Sequence, residues 1–168
     1  MQIPFSPPQI SEEAIESVVE TLRSGWITTG PKTQAFEEAL TDYMGTSGTV
    51  AMNSATAALE VTLRLLGIGA GDEVITSAYT YTASASIIAH VGAKIVLVDT
   101  QEDSLEMDYE QLASKITSRT KAIIPVDIAG QLCDYDKIFE IVQRKQDLFS
   151  TENPVHALSL IHISEPTR

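Results

Sequence analysis

Four short apolar runs, each followed by a helical stretch, dominate the middle of this 168-residue chain. Thr49–Met52 precedes Ala57–Leu66, Glu73–Thr76 precedes Thr82–His90, Lys94–Val98 precedes Tyr109–Ile116, and Ala122–Val126 precedes Tyr135–Arg144. A strand whose helix carries the chain back to the same end of a sheet can only pair in parallel with the next strand. Ile95–Val98 and Ala122–Ile124 show little polar alternation, the pattern of strands covered by helices on both faces. The predicted fold class is therefore α/β, with three layers (α/β/α) around a mostly parallel sheet. In such sheets ligands gather beyond the carboxyl ends of the strands. That rule directs attention to Asn53–Thr56, Ser77–Tyr81, Asp99 and Asp127.

The flanks read differently, and three segments result: 1–45, 46–150 and 151–168. In the first, Ile3–Gln9 carries three prolines and is expected to lie extended. A helix capped by Ser11 follows, with Ile15, Val18, Val19 and Leu22 at helical spacing. Ser24–Pro31 interrupts it, and a second helix runs from near Pro31 to Gly45. From about Ser150 the pattern lapses. The end of the chain, artefactual from about Ala157, resembles translated adapter sequence, so His156 and His162 are set aside as catalytic candidates.

Charge narrows the function. Eleven Lys and Arg against 23 Asp and Glu leave a net charge of -12, which repels nucleic-acid phosphates and anionic lipid. No apolar stretch approaches the ~20 residues of a membrane span. The single cysteine, Cys133, cannot form an internal disulfide and is expected to pack. With no basic leader or apolar run for export, the expected location is the cytoplasm. Motifs for metal binding, dinucleotides, a Gly-Lys phosphate loop or a nucleophile elbow do not occur.

The turn Asn53-Ser54-Ala55-Thr56 leads into a helix with small and hydroxyl side chains. Free amides and the dipole at a helix start favour an anion, and Ser54 and Thr56 add hydroxyl donors. Plain N-capping by Asn53 or Ser54 is the commoner fate of such residues. Tyr81 at the next strand end could stack on a flat ring, although an aromatic there more often joins the core. Asp99 and Asp127 could hold a ligand hydroxyl, although helix capping and solvation are the commoner fates of such carboxylates. His90 closes a helix and suits its negative end.

Taken in order, several segments resemble the DegT/DnrJ/EryC1/StrS family of aminotransferases. They are Ile3-Pro4-Phe5-Ser6, Gly25-Trp26-Ile27-Thr28-Thr29-Gly30-Pro31-Lys32, Asn53-Ser54-Ala55-Thr56-Ala57-Ala58-Leu59 and Gly71-Asp72-Glu73-Val74-Ile75-Thr76. Val91-Gly92-Ala93-Lys94 and Thr120-Lys121-Ala122-Ile123-Ile124-Pro125-Val126 complete the series, so the match runs from Ile3 to about Phe149. The resemblance implies the large domain of the aspartate-aminotransferase-like fold, truncated, with pyridoxal 5'-phosphate as cofactor. It implies that the loop matching Ser54, Ala55, Thr56 and Ala57 holds the cofactor phosphate and that Tyr81 lies against its ring. Thr28 and Thr29 become candidates for substrate contact. Asp127 departs from the histidine that relatives often carry.

The implied reaction transfers an amino group, with glutamate as donor and 2-oxoglutarate as its product, to a nucleotide-linked keto sugar. Surface polysaccharide or modified-sugar synthesis would use it, in a homodimer whose sites draw on both subunits. Such chemistry needs a Schiff-base lysine and an acid on the pyridine nitrogen. The resemblance places both beyond the matched segment, so no catalytic residue is assigned. Lys32, Lys94, Lys115, Lys121, Lys137 and Lys145 do not match the family's lysine, and the chain by itself is expected to be inactive. Two other readings stay open: a sugar dehydratase of the same fold, in which histidine replaces the lysine, and a non-catalytic protein that binds a phosphate-bearing ligand. No metal is expected.

Overall fold

A computed structural model describes residues 7–149 and the backbone of 165–166. The sequence expectations for residues 3–6, for 151–164 and for the last two positions lie outside the described residues. The chain divides into two compact units, with the boundary between Ala51 and Met52.

In the first unit, α1 (Glu12–Ser24) starts where expected: Ser11 accepts the Ala14 amide at 3.3 Å, and Gly25 closes the helix in the left-handed conformation at φ 74°. Its acidic first turn, Glu12 and Glu13, and basic last turn, Arg23, both suit the helix dipole. Pro31 opens α2 (Pro31–Met44) at a position where its missing amide costs nothing. No side chain of either helix is buried among the described residues. The stretch after α2 is anchored by side chains instead, with the Ala51 amide donating to Glu37 at 2.7 Å and the Thr41 and Thr49 hydroxyls 3.0 Å apart.

The predicted strand Thr49–Met52 does not form. A strand exists through its ladder, and no described segment pairs with this one backbone to backbone. Val50 remains 80% exposed.

The second unit is the α/β body. After α3 (Ala55–Leu65), strand β1 (Glu73–Ser77) is followed by α4 (Thr82–His90), β2 (Lys94–Val98), α5 (Tyr109–Lys115), β3 (Thr120–Ile124) and α6 (Tyr135–Arg144). The sheet order is β2-β1-β3, all parallel, with Val74 opposite Ile95 and Ala122. Side chains alternate between two cores. Val74, Ala122 and Ile124 face Leu59 and Leu63 of α3 and Ile87 and Ile88 of α4. Ile75, Val98 and Ile123 face Tyr109 and Leu112 of α5 and Ile138 and Ile141 of α6. The three-layer expectation is thus met, with β1 and β3 buried on both faces, whereas the edge strand β2 is only partly covered and its Leu97 stays 46% exposed.

The fourth predicted strand, Ala122–Val126, is broken. Pro125 has no amide for the ladder, so β3 ends at Ile124, and the two-residue β4 (Val126–Asp127) pairs instead with β5 (Glu165–Pro166).

At the amino end of the sheet Glu73 is buried and carries several partners. Its carboxylate accepts from the Thr117 hydroxyl at 2.6 Å, from Arg119 at 2.7 Å and from Lys94 at 3.0 Å. These partners, the Thr117 hydroxyl first, hold its pKa below the usual glutamate value. At the outer edge of β2, the Asp99 amide donates to Gln111 Oε1 at 3.3 Å, and Lys115 Nζ donates to the Leu97 carbonyl at 2.6 Å. The Asp108 amide meets the Asp99 carbonyl at 2.8 Å.

Candidate functional site

The carboxyl end of β1 and the starts of α3 and α4 lie at one end of the second unit. Arg64, one residue from the end of α3, donates to the carbonyl of His90, the last residue of α4, at 3.3 Å. His90 Nδ1 lies 2.8 Å from Glu60 of α3. The ring of His90 therefore pairs with a neighbouring helix rather than with its own carbonyls. The hydrogen bonds from His90 and Arg64 hold the Glu60 pKa below its usual value. Because the two C-terminal ends meet and the flanks share one core, the helices run side by side in the same direction. At ~1.5 Å per residue their first turns come level with each other.

At the tip of α3, Ser54 is extended and its hydroxyl accepts the Ala57 amide at 3.1 Å. The capping role favoured on local grounds is therefore realised, and the Ala57 amide is occupied by it. The Ala58 amide closes onto the Ser54 carbonyl at 3.1 Å. The amides of Ala55 and Thr56 and the Thr56 hydroxyl have no partner among the described residues. A serine hydroxyl that accepts one amide still has its own hydrogen to give. The turn thus offers four donors, with only small side chains around them.

Tyr81 precedes α4 and makes no side-chain cap. It is 72% exposed, so the core alternative for this ring is excluded. The loop beneath it is braced: the Ala78 amide donates to the Val98 carbonyl at 2.7 Å, and the Tyr79 amide donates to Ser77 Oγ at 3.2 Å. The Thr80 and Ser84 hydroxyls lie 2.8 Å apart. Ser54, Ala55, Thr56, Ala57 and Tyr81 consequently share one end of the α/β body. Thr28 and Thr29 belong to the other unit and are exposed.

Neither aspartate past a strand end caps a helix. Asp127 is buried, accepting the Cys133 amide at 2.9 Å and the Tyr135 hydroxyl at 2.7 Å. It braces the turn Ile128–Gln131, in which Ala129 takes φ 52° and Gly130 φ 81°. Asp99 accepts the amide of Thr100, its own neighbour, at 2.8 Å. Cys133 packs as expected, and burial, followed by the Asp127 charge, pushes its pKa up to about 11.

A network that was not anticipated joins the loop after β2 to this turn. Tyr109 donates to Glu106 at 2.6 Å and accepts the Asp134 amide at 2.7 Å, while Gln131 donates to Glu106 at 2.8 Å. Its members come from two separated stretches, 106–109 and 131–134, so no local spacing announced it. Among the described residues no group of three His, Cys, Asp or Glu could hold a metal ion, and no helix is long and apolar enough to cross a membrane.

Residues 8–160 match the model of the DegT/DnrJ/EryC1/StrS aminotransferase family. The chain belongs to that family. The spore coat polysaccharide biosynthesis protein SpsC of Bacillus subtilis is 45% identical over 156 residues, which span 93% of this chain and 40% of SpsC. Among solved structures, Spr1654 of Streptococcus pneumoniae, assigned as a sugar aminotransferase, superposes in its PMP form with a TM-score of 0.87 at 57% identity. The match covers 91% of this chain and 38% of that one. Its PLP form superposes equally well. The 3-amino-5-hydroxybenzoic acid synthase aligns with a TM-score of 0.76 at 32% identity, over 83% of this chain and 37% of that one. The chain therefore spans about two fifths of the length of the relatives it matches.

Proposed function

We propose that this chain forms the N-terminal part of a pyridoxal-phosphate aminotransferase acting on a nucleotide-linked keto sugar, with glutamate as amino donor. The observation that carries the reading is the set of unengaged donors at the tip of α3, level with the exposed ring of Tyr81 at the tip of α4. Membership of an aminotransferase family and the PLP and PMP forms of Spr1654 support the cofactor. The name of SpsC supports a place in polysaccharide synthesis. The complete enzyme is read as a cytoplasmic homodimer.

A phosphate suits this turn on physical grounds. The chain's net charge of -12 gives an anion no general attraction, so binding must come from local donors. The Ala55 and Thr56 amides sit at the positive end of α3. The Thr56 and Ser54 hydroxyls add two more hydrogens, and Ala57 serves indirectly by keeping Ser54 in place. When bound, pyridoxal phosphate supplies an aldehyde and an electron-withdrawing ring through which an amino group can leave one carbon and join another. Tyr81 would cover one face of that ring and limit its tilt. Thr28 and Thr29 would hold the sugar by their hydroxyls.

The test is made in the full-length protein. Thr56→Ala should weaken pyridoxal phosphate binding by about 1 to 3 kcal/mol, the range for hydrogen bonds to a charged group, measured by equilibrium titration of cofactor. Unchanged affinity removes the phosphate assignment. Tyr81→Ala should loosen the cofactor more than Tyr81→Phe does, because phenylalanine keeps the flat face. Equal losses would assign the effect to the hydroxyl.

A further inference from the structure

The connection between α1 and α2 is exposed, yet side chains close it at each step. The Ser24 hydroxyl donates to the Thr21 carbonyl at 2.7 Å and accepts the Trp26 amide at 3.1 Å. Gly25 turns the chain in the left-handed conformation. The Trp26 indole then folds back, its Nε1 donating to the Thr29 carbonyl at 2.9 Å. It lies so close over Gly30 that a β-carbon there would sit 2.3 Å from Nε1 and 2.5 Å from Cδ1. Gly30 has a φ of -170°, ordinary extended backbone. A β-carbon at this position would therefore have to displace the indole, whereas the conformation itself would accept one.

Trp26 keeps 58% of its surface exposed. A large aromatic so placed adds little burial to a fold, and its polar end is spent on the carbonyl three residues on. What the contact does is restrict the peptides between Trp26 and Gly30. Those peptides carry Thr28 and Thr29, whose side chains are exposed and whose hydroxyls have no partner among the described residues. Freezing a hydrogen-bonding loop before the ligand arrives removes part of the ordering cost of binding.

We propose that Trp26 is a positioning residue for the sugar substrate: held between the Thr29 carbonyl and Gly30, its indole presents the Thr28 and Thr29 hydroxyls to a nucleotide-linked keto sugar in one orientation. The inference rests on the assignment of those two threonines to substrate contact.

In the full-length holoenzyme the amino-donor and keto-sugar half-reactions are followed separately. Trp26→Phe keeps a ring and loses the indole N–H, whereas Gly30→Ala keeps the indole and takes its place. Each should raise the KM for the keto sugar about threefold to tenfold, the worth of one hydrogen bond, while leaving the donor half-reaction unchanged. The double variant should cost no more than the larger single change, because both break the same contact. Trp26 is also the only tryptophan of this chain, so in the 168-residue protein Gly30→Ala should red-shift its emission without any assay of activity. If Thr28→Val and Thr29→Val raise the sugar KM but Trp26→Phe and Gly30→Ala do not, the clamp is wrong and the substrate assignment stands. If the two valine variants leave the KM unchanged, the assignment itself falls. Equal slowing of both half-reactions in Gly30→Ala would show a merely structural contact and overturn the proposal.

Discussion

In the α/β body Leu63, Val74, Ile75, Ile87, Leu112 and Ile124 are fully shut off from solvent, whereas Ile15, Val18 and Leu22 on α1 keep 44%, 59% and 64% of their surface. Both sets are apolar residues at the spacing of regular structure. In one unit the spacing aligns with a neighbouring layer, and in the other the stripe finds no cover among the described residues. Periodicity makes a helix amphipathic, and only a second apolar surface turns that face into stability. The first unit relies instead on local devices: the Ser11 cap, the left-handed Gly25 and Gly45, and the Ala51 amide on Glu37.

The sharpest way to break this contrast is to delete side-chain volume in the body. Ile75→Ala, in a strand covered on both faces, should cost about 2 to 5 kcal/mol in denaturant unfolding. A much smaller loss would mean that the sheet is loosely packed.

Glu73 offers a second, electrical probe. Its pKa is lowered in the folded state, first by the Thr117 hydroxyl and then by Lys94 and Arg119. Its contribution is therefore present above the ordinary glutamate range and disappears as pH falls through the lowered native value. Glu73→Gln should cost about 1 to 3 kcal/mol at neutral pH and flatten the acid limb of stability against pH. An unchanged acid limb would show that other carboxylates control it.

The smallest effect is expected on α1. Leu22→Ala should change stability by no more than about 0.5 kcal/mol. A loss comparable to that of Ile75→Ala would reveal that the α1 stripe is covered after all, and the contrast between the units would vanish.

These differences also separate what could be read from sequence from what could not. The limits of β2 and α6 match their expected residues, Lys94–Val98 and Tyr135–Arg144. An unbroken apolar run marks the strand, and Asp134 capping the Lys137 amide marks the helix start. Thr49–Met52 has strand composition, but pairing is a property of two segments, and the second is not written in the first. Pro125 was visible, and its missing amide should have ended β3 there. At the site, the Ser54 cap and the small residues beside it could be read directly. The competition for the Ala57 amide, the exposure of Tyr81 and the turn of Trp26 onto Gly30 depend on rotamers and on packing between distant segments. Asp127 was equally opaque, because Tyr135 reaches it from the next helix.

The upper part of the β2 border is already occupied by α5, through Gln111 and Lys115. A newcomer strand would have to evict both side chains before it could hydrogen-bond there. The sheet is consequently a one-sided template: any strand added by a longer polypeptide should dock beside β3, and the opposite flank resists adventitious edge-to-edge association.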